Sequence, residues 1–66
     1  MENTIKVERA ILNLTQDDLA KKIGVSRQTI NSIEANRYVP STVLSLKLSE
    51  VFGKPVNAFF KLTENE

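Results

Sequence analysis

The chain has no cysteine, no histidine and no tryptophan, and only two glycines and two prolines among 66 residues. Each absence removes a class of chemistry. Without cysteine there is no disulfide, no thiolate metal site and no redox couple. Without histidine the usual general base and the commonest metal ligand are missing, and no imidazole is present to activate a serine. We therefore expect no enzyme activity, no cofactor and no metal. No apolar run approaches the roughly 18 residues that cross a bilayer. The opening Met-Glu-Asn-Thr-Ile-Lys-Val lacks the basic stretch followed by an apolar one that marks a secretory signal. The expectation is a cytoplasmic protein without a membrane partner. The scarcity of glycine and proline, with no repeat and no low-complexity stretch, implies closely spaced elements in one domain over 1–66, ending in an acidic tail at 63–66. No second domain is read that would bind an effector, so no small-molecule ligand is implied.

A chain this short is near the lower limit at which a core holds a fold unaided. Its hydrophobic content of 41% is ordinary for a globular domain. With no covalent staple, stability must come from packed helices or from a partner subunit. The net charge of +1 is unevenly spread, since the acids Glu2, Glu64 and Glu66 sit at the two ends. Residues 3–63 carry nine bases against five acids, a net of +4. A modestly positive middle suits phosphate binding, but it is also what an ordinary solvated surface looks like.

Local signals divide the chain into helices. Thr15 and Asp18 form a capping-box pair ahead of Leu19, Ala20 and Ile23, which share one helical face, and Gly24 suits the left-handed end. Ser26 caps a second segment with Ile30 and Ile33 on one side. Arg27, Gln28, Asn31, Ser32 and Ala35 lie on the other, and Asn36 is a candidate left-handed terminator. Ser41 caps a longer helix to about Phe52, closed by Gly53, with Leu44, Leu48, Val51 and Phe52 as its core stripe and Val43 and Leu46 pointing away. A last helical element should run from Pro55 to about Phe60, proline being suited to a first turn. At the start, Ile5, Arg9 and Leu12 share a helical face while Ile5-Lys-Val-Glu8 alternates as a strand does; we expect a helix over about 5–12 after an extended lead-in. Ser26, Ser41, Asp17 and Asp18 read as capping residues rather than as catalytic groups.

A short helix, a tight turn containing glycine and a second helix with a polar outer face describe a helix-turn-helix over about 16–36. Ala20 is small where the two helices would cross, and Val25, Ile30 and Ile33 would pin the second helix on the core. Its opposite face is then free for a DNA major groove, which is wide enough for one helix. The stretch from Leu14 to Glu34, with the pattern TQxxLAxxxGVSRQTIxxIE, resembles the Cro/repressor (XRE) family of helix-turn-helix regulators. The likeness runs from about Ile5 to Leu62, and the chain's length is similar to the small cytolysin-operon repressor branch. The resemblance implies an all-α, compact five-helix, lambda-repressor-like DNA-binding fold, with a short β-sheet formed by the chain ends in a dimer. It implies base contacts by Arg27, Gln28, Asn31 and Ser32, and phosphate contacts by Gln16, Ser26, Thr29, Asn36, Arg37 and Tyr38. It further implies an ion pair between Arg9 and Glu34 tying the first helix to the third. Glu8 departs from the pattern, standing where an apolar residue is common.

One module of this size covers only about 600–1,000 Å² of DNA, so two copies on a twofold axis, reading half-sites roughly 10 base pairs apart, are expected. The surplus apolar residues Val39, Val43, Leu46, Phe59, Phe60 and Leu62 are the candidate homodimer interface, although Phe59 serves core closure equally well. Phe60-Lys-Leu62 alternates as a short strand that can pair with its symmetry mate or with the N-terminus. The leading expectation is a double-stranded-DNA-binding repressor acting on a palindromic operator. The alternative is an antitoxin-like or accessory DNA-binding protein whose main partner is another protein.

Overall fold

Helices begin where a hydroxyl side chain precedes an apolar-periodic segment. The computed structural model describes all residues from 1 to 66. In chain order it contains strand β1 (Glu2–Asn3) and helices α1 (Ile5–Ile11), α2 (Gln16–Ile23), α3 (Arg27–Glu34) and α4 (Thr42–Phe52). A 3-10 turn (Val56–Ala58) and strand β2 (Phe60–Lys61) follow. Thr15 Oγ1 accepts the Asp18 N–H and Asp18 Oδ2 accepts the Thr15 N–H, both at 3.0 Å, closing the capping box at the start of α2. These bonds, the Thr15 backbone N–H first, hold the Asp18 carboxyl below its ordinary value. Ser26 and Ser41 each accept a backbone N–H three residues on, from Thr29 and Leu44, at 3.1 Å. Gly24 ends α2 at φ 75°, in the left-handed region where a side chain is strained.

The core is one cluster drawn from every helix: Ile5 from α1, Leu19, Ala20 and Ile23 from α2, Ile30 and Ile33 from α3, and Leu44, Leu48 and Phe52 from α4. Phe59 and Phe60 close it from below the last turn. The Phe52 and Phe59 rings meet edge to face, with centroids 5.0 Å apart. Val51 is only partly buried, at the edge of this cluster. No helix is long and apolar enough to cross a membrane.

Two expectations are corrected. The fold has four α-helices, not five, because the segment after Pro55 makes only the three-residue turn Val56–Ala58. Phe59 and Phe60 follow it at once, 1% and 7% exposed, and the chain must straighten to place both rings in the core. For the same reason these two phenylalanines are removed from the candidate dimer surface. Straightening also lets β2 pair antiparallel with β1, Glu2 opposite Lys61 and Asn3 opposite Phe60: the expected pairing of Phe60-Lys-Leu62 with the N-terminus forms, within one chain, and the fold is mostly helical with a small sheet at the chain ends. Burial of Glu8 is answered by Lys54, whose Nζ lies 2.8 Å from Oε1 and ties α1 to the segment after α4.

Candidate nucleic-acid interface

The α2–turn–α3 unit is built by three side chains turned inward. Ala20, 1% exposed, lets the two helices approach, and Ile30 and Ile33, each 1% exposed, fix which way α3 faces. The remaining side of α3 is left to solvent: Arg27, Gln28 and Asn31 are exposed, and Thr29 and Ser32 are half-buried. Ser26, Gln28, Thr29, Ser32, Arg37 and Tyr38 line one shallow concavity on this side. Arg27, Gln28 and Asn31 line a second. The structure thus brings nearly all the expected contact residues of α3 and the following loop onto one face.

Behind that face lies a charged anchor. Arg9 Nε donates to Glu34 Oε2 at 2.6 Å, Nη2 donates to Oε1 at 3.1 Å, and Nη1 donates to the Leu14 carbonyl at 3.0 Å. Hydrogen bonding to Glu34 raises the Arg9 pKa, so the guanidinium stays charged. Gln16 joins the same carboxylate, its Nε2 donating to Glu34 Oε1 at 3.3 Å. One acid in this region is therefore neutralised from within, and Arg27 and Arg37 stand on the outer face without an acidic partner. Lys21, by contrast, pairs with Asp17 at 3.2 Å, both well exposed.

Asn36 differs from its neighbours in the loop. At φ 61° it supplies the left-handed turn after α3, and its side chain engages Asn3 rather than standing free. The Asn3 Nδ2 donates to Asn36 Oδ1 at 2.8 Å and to the Ile33 carbonyl at 3.0 Å, while its Oδ1 accepts the Ile5 N–H at 3.2 Å. The C-terminal end of α3 is thus clamped from the terminal sheet. Sequence reasoning missed Asn3, because a lone asparagine in an extended lead-in carries no periodic or capping signal toward a helix that follows so much later. Val39, Val43, Leu46 and Leu62 lie elsewhere, all more than half exposed.

An apolar-pinned α3 that follows a capped α2 across a glycine turn and offers a polar outer face defines a helix-turn-helix domain. The chain belongs to the helix-turn-helix family, whose sequence profile matches residues 5–59. It is similar to an HTH-type transcriptional regulator of Methanocaldococcus jannaschii, 48% identical over 66 residues and covering all of both chains. An HTH-type transcriptional regulator of Archaeoglobus fulgidus is 41% identical, across all of this chain and 93% of its own. The HTH-type transcriptional regulator YgzD of Bacillus subtilis is 39% identical over 64 residues, 97% of each chain.

Proposed function

We propose that the protein is a sequence-specific, double-stranded-DNA-binding transcriptional regulator that represses as a homodimer, placing α3 in the major groove of each half of a palindromic operator. The names of its relatives support the general part of this reading, transcriptional regulation. The observation that carries it is the single polar face on which Arg27, Gln28 and Asn31 stand exposed while Ile30 and Ile33 lock the opposite side. Arginine donates two hydrogen bonds to guanine O6 and N7, and glutamine bonds adenine N6 and N7 in both directions. Arg27, Gln28, Asn31 and Ser32 are assigned to bases. Gln16, Ser26, Thr29, Arg37 and Tyr38 are assigned to phosphates, with Asn36 contributing its backbone. Phosphate contacts supply the salt-dependent part of the affinity.

A second copy covers the apolar surface of Val39, Val43, Leu46 and Leu62 in this reading. Their exposure also favours one competing occupant, an unrelated protein chain, which would make this an antitoxin-like or accessory factor. Selection of bound duplexes from a random pool tests the proposal. One enriched site with two inverted half-sites roughly 10 base pairs apart is expected. Recovery of the unselected pool, or of a single half-site bound by a monomer, would contradict it.

A further inference from the structure

The segment after α3 folds back over the outer face of its own helix. With Asn36 left-handed, the Arg37 N–H bonds to the Ser32 carbonyl at 2.9 Å, and the Asn36 N–H bonds to the Ile33 carbonyl at 3.0 Å. Asn3 fixes this turn from the opposite side. The Arg37 side chain is thereby laid along α3, and its Nη2 donates to Asn31 Oδ1 at 3.0 Å. A guanidinium carries donors only, so the atom it meets must be the amide oxygen. The Asn31 NH2 group is then directed away from Arg37.

We propose that Arg37 is a positioning and specificity-determining residue, which with Asn31 turns this part of α3 into a donor-only reader of guanine. The inference rests on the reading that α3 enters the major groove. A free asparagine reads adenine by donating to N7 while accepting from the N6 amino group. Held by Arg37, the Asn31 oxygen has one of its two lone pairs occupied and lies beside a positive charge, which makes it a poor acceptor for an N6 amino group. What is presented is its NH2 group next to the remaining guanidinium N–H groups. The guanine edge offers two acceptors, N7 and O6, and matches this pair. The adenine edge brings its N6 amino donor against other donors. Arg37 thus does more than attract phosphate: it decides which hydrogen-bonding half of Asn31 meets the base.

The test compares duplexes selected from a random pool by the parent, Asn31→Ala, Arg37→Ala and the double variant, with thermal melts run on each. Both positions are exposed, so the melts should coincide. The parent should prefer guanine over adenine at one position of each half-site by about 5- to 20-fold, within the range of a good base contact. Each single variant should lose that preference, and the double variant should lose no more than either, as residues acting as one unit do. An Arg37→Ala protein that keeps the full guanine preference, while binding all sequences evenly more weakly and with a salt slope smaller by about one, would reduce Arg37 to a phosphate contact and overturn the inference. So would an Asn31-dependent preference for adenine. A parent that enriches no sequence overturns the reading of α3 itself, and this inference with it.

Discussion

The outward faces of α3 and α4 are both open to solvent, the first polar and the second mixing Val43 and Leu46 with Lys47 and Glu50. α3 shows Arg27, Gln28 and Asn31, whereas α4 shows Val43 at 64% and Leu46 at 56% exposure. The two helices are also held differently. α4 buries Leu44, Leu48 and Phe52 and rests on the Phe52–Phe59 ring contact. The shorter α3 fully buries only Ile30 and Ile33, and it gains its remaining fixation from the Arg9–Glu34 pair and the Asn3 clamp. A helix that must keep its outer side polar has few apolar side chains to spend on the core. Directional bonds from behind then set its orientation. A helix with a full apolar stripe needs no such bonds and can carry apolar residues outward as well.

The largest effect should come from removing the anchor. The Arg9 and Glu34 side chains are 14% and 10% exposed. Arg9→Ala leaves the Glu34 carboxylate without its charged partner and should cost about 3–5 kcal/mol in urea denaturation. Replacing both residues by apolar ones of similar volume should recover much of that loss, because the pair orients α3 more than it stabilises the fold. Next comes the α4 face. Leu46→Glu should leave the melting temperature of the monomer unchanged, convert a dimer to a monomer in sedimentation, and weaken operator binding on the order of 100-fold by removing the second contact site. Third, Arg27→Ala or Gln28→Ala should relax base discrimination by about 1–3 kcal/mol in competition binding, with an unchanged melt.

The smallest effect concerns the helix that precedes α3. The folded-state pKa of Asp18 lies below its ordinary value of 3.8, so its contribution to stability is complete above that value and is lost as the pH falls through the folded-state pKa. Asp18→Ala should therefore melt slightly below the parent at neutral pH, and the two melting curves should merge in strong acid.

The parts of this molecule that were legible in the sequence are those decided by neighbours. Thr15, Ser26 and Ser41 sit immediately before their helices, and Gly24 and Gly53 immediately after theirs, so α2, α3 and α4 have the expected boundaries to within a residue. The division of α3 into a buried and an exposed side also follows from spacing alone. What escaped depends on distant partners. Glu8 is buried because Lys54 reaches it, and Asn3 acts on the far end of α3; neither partner is suggested by local pattern. The proline at 55 promised a helix, but two consecutive phenylalanines with places in the core ended it after one turn. Arg37 carried a legible charge, while its bond to Asn31 required the left-handed turn at Asn36.

The most direct measurement is a map of backbone amide resonances as the protein is titrated with its selected duplex. The account predicts that the largest changes fall on residues 26–32 and on Arg37 and Tyr38, with Val43 and Leu46 little affected once the dimer is formed. Changes centred on the outer face of α4 or on α1, with α3 unmoved, would contradict it.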